Sequence, residues 1–268
     1  MRYYFCLVLF ITFSSCKEET STINNTVENT NIGQPVVEFH NLVADYMTWW
    51  AYHYNEINLS LDFIPINENL KVISKVEFLE ALTTGNYITI QLKPYTSTVK
   101  YKLFKLDDTV NQAIRSTVKN VSVTALKHFK MEGIEFPEFN VIDIKGQQHT
   151  NKTMKGKTAI LKTWFIACKP CVAEFPELNI LVDHYKERND IIFTSFVRDT
   201  KPKLNEFLKE NPFHYNIVAE QNNFIEKELN LQIYPTHIVV NKKGIIIKVV
   251  NRVSELVTFL DNSEILSN

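Results

Sequence analysis

The sequence predicts a two-part chain, a small α+β region followed by a C-terminal α/β domain. Three observations point there. The chain has 268 residues, and at roughly 100–200 residues per domain that is room for two. Residues 37–131 alternate helical and strand-like segments with one hairpin signal. From about residue 134 the order becomes strand, helix, strand, then a hairpin and a final helix, which is an α/β layout.

Each element has a local reason. In 37–54 the apolar residues Phe39, Leu42, Val43, Tyr46, Trp49 and Trp50 give one helix a broad apolar face. Ser74 and Glu77 have capping-box spacing ahead of Phe78, Leu79 and Leu82, and Gly85 is a plausible stop. Residues 87–92 and 99–103 read as two strands of a hairpin. Asp107-Asp108 lead a long helix towards Phe129, with Gly133 after it. Residues 139–143 followed by Lys145-Gly146 signal another hairpin. A strand over 158–165 runs into a helix over 170–186. Residues 191–197 form an almost unbroken apolar run, as a buried strand does. Short helical stretches follow at 203–209 and 224–229, with an extended piece at 213–218. Residues 236–240 and 245–250 flank Asn241-Lys242-Lys243-Gly244 as a hairpin, and 254–260 form the last helix.

The composition, 45% hydrophobic and 22% charged, suits a protein with a real core. A net charge of −1 without a long basic run leaves no footprint for nucleic-acid binding. The histidines are scattered, and His184, His214 and His237 show no ligand spacing against the cysteines, so no metal is expected.

The N-terminus reads as a targeting segment. Met1-Arg2 supplies a charge, and residues 3–13 are almost wholly apolar but too few to span a bilayer. Phe13-Ser14-Ser15-Cys16 resembles the lipobox of bacterial lipoproteins, with Phe13 where Leu is usual. That resemblance implies a signal peptide over 1–16, lipidation of Cys16 and a membrane anchor facing the periplasm or the cell surface. The alternative is a plain secretory signal. Residues 17–36 are rich in Asn, Thr and Glu and read as a flexible tether.

Of four cysteines, Cys6 leaves with the signal and Cys16 carries lipid, so Cys168 and Cys171 remain. An exported chain meets an oxidising compartment. A disulfide across two intervening residues closes too small a loop to stabilise much, so redox chemistry is the better reason to keep the pair.

The pair sits in Thr163-Trp164-Phe165-Ile166-Ala167-Cys168-Lys169-Pro170-Cys171-Val172-Ala173-Glu174-Phe175-Pro176, where a strand becomes a helix. At a helix start, unpaired N–H groups stabilise a thiolate, the attacking species. Lys169 adds a positive charge. Pro170 suits a first turn, where a missing N–H costs little. Cys171, one turn on, is expected to be less exposed and to resolve the mixed disulfide.

This segment resembles the active site of the thioredoxin superfamily, and within it the TlpA/ResA-like family of exported thiol–disulfide oxidoreductases. The matching pieces are Phe136-Pro137-Glu138-Phe139, Asp143-Ile144-Lys145-Gly146, Trp164-Phe165, Cys168-Lys169-Pro170-Cys171, Glu174, Pro176 and Tyr234-Pro235-Thr236, spread over roughly half the chain. The resemblance implies a thioredoxin-like domain over 132–268, a central mixed sheet with helices on both faces. It implies that Cys168 is the nucleophile, Cys171 the resolving cysteine, Pro235 a cis-proline at the substrate edge and Glu174 an acid that tunes the thiols. It also implies protein thiol or disulfide substrates, a membrane thiol donor, reduction as the direction, and no cofactor beyond the cysteine pair. Trp164 is a supporting residue.

Two positions depart from the thioredoxin pattern. Ala167 precedes the first cysteine where many thioredoxins have Trp. Lys162 replaces the acid usually buried six residues before that cysteine. A buried lysine is costly unless paired, so Lys162 is expected either to pair with Glu174 or to snorkel to solvent. Glu174 is otherwise a solvated helix carboxylate. His237 reads as a satisfied sheet histidine rather than a proton carrier.

Two other functions are weighed. Peroxiredoxins share the fold, but their cysteine stands in a P-x-x-x-T-x-x-C context that residues 162–167 lack. A surface lipoprotein whose N-terminal region binds a partner or glycan rests on Phe39, Tyr46, Trp49 and Trp50, which read more simply as core.

Overall fold

The computed structural model describes residues 33–93 and 98–263. The expected signal peptide over 1–16, with Cys16, and residues 17–32 of the expected tether lie outside the described residues. Among those described, no helix is long and apolar enough to cross a membrane.

The first part holds α1 (Phe39–Val43), α2 (Tyr46–Glu56), β1 (Ile64–Ile66), α3 (Lys75–Thr83), β2 (Tyr87–Gln91), β3 (Lys100–Lys105) and α4 (Gln112–Met131). The single helix expected at 37–54 is two, because Asp45 leaves helical geometry and caps Thr48 N–H with its carboxylate. The capping box at Ser74 and Glu77 forms as read. Gly85 ends α3 at φ +72°, where an added Cβ would meet the Arg115 carbonyl at 2.9 Å. α4 starts at Gln112, later than Asp107-Asp108 suggested. Asp107 instead accepts the Thr109 N–H in a turn, and Asn111 caps the helix. β2 and β3 are antiparallel, and β1 adds a parallel strand against β3. Residues 33–36, read as the end of the tether, pair with the end of β2, through Val36 N–H to Gln91 O and a bridge from Pro35 to Leu92. Trp49 is fully buried in this core and Phe39 stacks on Phe104.

The second part holds β4 (Asn140–Ile142), β5 (Gln148–Thr150), α5 (Asn151–Met154), β6 (Thr158–Trp164), α6 (Lys169–Ala173), α7 (Phe175–His184), β7 (Ile191–Val197), α8 (Lys201–Phe207), β8 (Asn216–Val218), a π-helical turn (Phe224–Glu228), β9 (Thr236–Val240), β10 (Ile246–Val250) and α9 (Val253–Asn262). The main sheet has the order β10-β9-β6-β7-β8. β6, β7 and β8 run parallel, while β9 and β10 are antiparallel to their neighbours. The sheet is therefore mixed, as expected. Alternation sorts its two faces. Ile160, Trp164 and Val239 pack with α6, α7 and α9 on the face that holds both cysteines. Leu161, Ile238 and Val240 pack with Phe136, Phe139 and the π-helical turn on the other.

The helix expected over 170–186 is broken at Glu174. Pro176 has no N–H for the Val172 carbonyl, which takes the Glu174 N–H instead. The two parts of the chain are docked together. α4 packs on β10, and residues 133–136 run along the β10 edge through Gly133, Ile134 and Phe136. The buried Lys248 of β10 reaches Glu132 and the Ser60 carbonyl, each at 3.1 Å.

Candidate active site

β6 ends at Trp164, which is fully buried and edge-on to Phe175 at 4.8 Å. This packing fixes where the chain leaves the sheet. The following loop is tied down through its N–H groups, Ile166 N–H to the Asp199 carboxylate Oδ2 at 2.7 Å and Cys168 N–H to Phe165 O at 3.0 Å. Cys168 then stands at the N-cap of α6, with Pro170 in the first turn and Lys169 exposed.

Cys168 and Cys171 form a disulfide with Cα atoms 5.3 Å apart. Cys168 Sγ also accepts the Cys171 N–H at 3.3 Å. That N–H is one of the unpaired first-turn donors of α6. Its partial positive charge acts on Cys168 whatever the helix length, because the effect of a helix start is confined to its first turn. α6 has only five residues, so the support is local. Cys168 keeps 6% of its surface exposed and Cys171 none. Cys168 thus keeps a small share of surface, while Cys171 is closed in.

Pro235 follows a cis peptide bond from Tyr234. Its carbonyl accepts Asn251 Nδ2 at 2.7 Å. Tyr234 packs edge-on to Phe165 at 5.2 Å, and the Arg198 guanidinium lies over both rings. The cis-proline loop and the cysteine loop therefore share one aromatic contact, with a cation beside it.

Glu174 lies one turn after Cys171, on the same side of the helical run. Its carboxylate collects three partners. Oε2 accepts Lys162 Nζ in a short ion pair and His237 Nε2 at 3.0 Å. Oε1 accepts the Val253 N–H at 3.0 Å, at the start of α9. Lys162 and His237 face each other across the β6–β9 pairing, so alternation delivers both to the cysteine side of the sheet. Both are fully buried. Of the two placements open to Lys162, the structure has the paired one. Glu174 is no solvated helix carboxylate, since its side chain keeps only 12% of its surface.

Burial pushes the Glu174 carboxyl up, but His237 and Lys162 outweigh it, and its pKa lies below the usual value. Burial pulls Lys162 below its usual value, and the carboxylate opposes that pull. His237 is pulled down to about 4, by burial first and by the Lys162 charge second. It is neutral at pH 7 and donates from Nε2. Its Nδ1 has no hydrogen-bond partner among the described residues.

A pH effect follows. His237, and His128 with a pKa also lowered to about 4 by burial, take up protons more readily when unfolded. A base whose folded pKa is depressed destabilises the fold as pH drops below its unfolded value near 6.5. Stability should therefore fall between pH 6.5 and about 4, by on the order of 3 kcal/mol for each group. The lowered Glu174 acts in the same direction at the acid end. Urea melts at pH 7 and pH 4.5 would show this, and equal stability at both would contradict it.

Of the residues singled out from the sequence, Cys168, Cys171, Lys169 and Pro170 lie at the start of α6, Trp164 and Lys162 on β6, Glu174 one turn after Cys171, and Pro235 just before β9. Sequence reading missed Asp199, Arg198, Asn251 and Val253, and it assigned His237 to the sheet alone. His237 had one usable signal, its position two residues beyond Pro235 on an expected strand. Among the described residues, no three His, Cys, Asp or Glu are grouped to hold a metal ion.

The second half of the chain is similar to known proteins. The sequence pattern of the AhpC/TSA family matches residues 133–249. The thiol–disulfide oxidoreductase ResA of Bacillus thuringiensis subsp. konkukian is 32% identical over 123 residues, 46% of this chain and 71% of that protein. ResA of Bacillus subtilis is 28% identical over 138 residues, 52% of this chain and 76% of that protein. Among solved structures, the thioredoxin domain of a thiol–disulfide oxidoreductase from Bacteroides vulgatus matches with 22% identity and a TM-score of 0.44, over 48% of this chain and 95% of that one. A thiol–disulfide oxidoreductase from Bacteroides fragilis matches with 18% identity and a TM-score of 0.44, over 48% and 98%. With its cysteine pair at the mouth of α6 and its likeness to ResA over most of that protein's length, the chain belongs to the ResA-like family of thiol–disulfide oxidoreductases, enzymes of thioredoxin fold.

Proposed function

We propose that the protein is an exported reductase of protein disulfides, working through Cys168 and Cys171 and held to a membrane by lipid on Cys16. The observation that carries the site is the unequal exposure of the two cysteines at the start of α6, 6% against none. In the cycle, the Cys168 thiolate attacks a substrate disulfide and expels one substrate thiolate. Cys171 then attacks Cys168 Sγ, closing the internal disulfide and releasing the second substrate thiol. Two electrons pass from the pair to the substrate. A membrane thiol donor restores the dithiol by the same exchange in reverse. Pro235 shapes the edge where the substrate chain lies, and Glu174 sets the charge beneath the thiols.

Export and anchoring rest on the lipobox-like run ending at Cys16, and direction rests on the family resemblance. Redox equilibration with glutathione tests direction. A potential below about −220 mV supports reduction, and one near about −120 mV, as in a strong oxidant, overturns it.

A thiol peroxidase is the second reading, kept by the AhpC/TSA match over 133–249. Turnover with a disulfide substrate and turnover with hydrogen peroxide, each driven by dithiothreitol, separate the two. The disulfide reaction should be fast and peroxide consumption no faster than with dithiothreitol alone. The reverse result would replace the proposal.

A further inference from the structure

The turn between β10 and α9 touches three things at once. Asn251 Nδ2 donates to the carbonyl of cis-Pro235 at 2.7 Å and to Thr236 Oγ1 at 3.1 Å. The Val253 N–H donates to Glu174 Oε1 at 3.0 Å. Arg252, between them, points the other way, into the N-terminal part of the chain. Its Nη1 donates to the Tyr54 carbonyl at 2.8 Å and its guanidinium lies over the Tyr54 ring at 5.1 Å. Tyr54 belongs to the last turn of α2, whose carbonyls have no partner within the helix and favour a cation.

The turn's own backbone is held through the same side chain. Glu255, buried in the first turn of α9, accepts the N–H groups of Asn251 and Arg252 at 3.1 and 3.3 Å with one oxygen. Its other oxygen accepts Arg252 Nε and Nη2 at 3.0 and 2.7 Å. The chain of contact therefore runs from α2 to Arg252, to Glu255 and the turn, and from the turn to Glu174 and Pro235. We propose that Arg252 is a positioning residue through which the N-terminal region sets the placement of Glu174, one helical turn after Cys171. The inference rests on the reading of Cys168 as nucleophile and deepens it. It gives residues 37–131 a part in the redox site.

The charges in play are few. Glu174 faces Lys162 from β6, His237 from β9, and the buried Tyr215, whose hydroxyl feels its charge. Arg252 faces Glu255 on its own helix, and His53, Tyr54 and Tyr101 from the N-terminal part. With the turn released, an ionised Glu174 loses the Val253 N–H that offsets part of its charge. The site becomes more negative, and the Cys168 thiolate becomes harder to form.

The test is the pH profile of Cys168 alkylation by iodoacetamide in the reduced full chain. Arg252→Ala should raise the midpoint by about half a unit, which slows alkylation about threefold below the midpoint. Arg252→Lys keeps a cation but reaches only one of Tyr54 O and Glu255, so it should give a smaller shift in the same direction, and it serves if the alanine variant does not fold. In a Lys162→Met/Glu174→Gln background, which leaves no buried charge unpaired, the same changes should leave the midpoint in place. A folded Arg252 variant with the parental midpoint overturns the proposal. So does an equal shift with and without Glu174, the mark of a merely structural role. A parent in which Cys168 reacts no faster than Cys171 overturns the functional reading, and this one with it, so the two failures look different.

Discussion

Glu174→Gln should destabilise the protein by about 3–5 kcal/mol, the usual cost of leaving one member of a buried ion pair alone. The expectation comes from how little water reaches the pair, with Lys162 fully buried and Glu174 keeping 12% of its side-chain surface. An ammonium on a central strand, hemmed in by β7 and β9, has no route to solvent. Lys162→Met should cost a similar amount, because Glu174 would keep only His237 and the Val253 N–H. The double variant Lys162→Met/Glu174→Gln should cost much less than the sum, since neither charge remains to be desolvated. Urea unfolding of the oxidised protein measures all three. Singles that each cost under about 1 kcal/mol would show that the pair does not matter to the fold.

Cys168→Ser should bring disulfide turnover down to the uncatalysed rate, whereas Cys171→Ser should spare the first attack and block release. The asymmetry is physical. Cys168 has the outward surface and the first-turn N–H of Cys171 on its sulfur, while Cys171 is enclosed by the core around Trp164 and Phe175. Single-turnover assays with a disulfide substrate in excess separate the two. One substrate thiol should be released per Cys171→Ser molecule and none from Cys168→Ser. Equal behaviour of the two variants would remove the assignment of roles.

Much of this was legible in the sequence because it is local. β7 covers the run read as a buried strand, and β6 stops one residue short of the expected end. The capping box at Ser74 and the turn at Gly244 follow from residue types a few positions apart. The cysteines were legible for the same reason, since four residues between a strand and a helix define their setting. What stayed hidden depends on pairing between distant segments. Ile64-Pro65-Ile66 is too short and carries a proline, and becomes a strand only because β3 lies beside it. His237 belongs to the site only through its register against Lys162, which no single-strand pattern encodes. The Val253 N–H and the Arg252 side chain matter because a turn happens to face Glu174 on one side and α2 on the other. The break of the long helix at Glu174 was half legible. A proline inside the expected helix marks a break on physical grounds, but does not show that the break would leave the Glu174 carboxylate against Lys162 and His237.

The buried Lys162–Glu174–His237 group also explains how a lysine can replace the acid that thioredoxins place six residues before the first cysteine. The charge is reversed on the strand and restored on the helix, one turn beyond Cys171. The Glu174 carboxylate is held there by a cation, an imidazole and a backbone N–H.

The most direct test of the account is to trap the exchange intermediate. Cys171→Ser, reduced and incubated with a disulfide-containing protein, should accumulate a mixed disulfide, and peptide mass spectrometry should place it on Cys168. A variant that stays a free thiol under those conditions would contradict the central claim that Cys168, at the start of α6, exchanges bonds with other proteins.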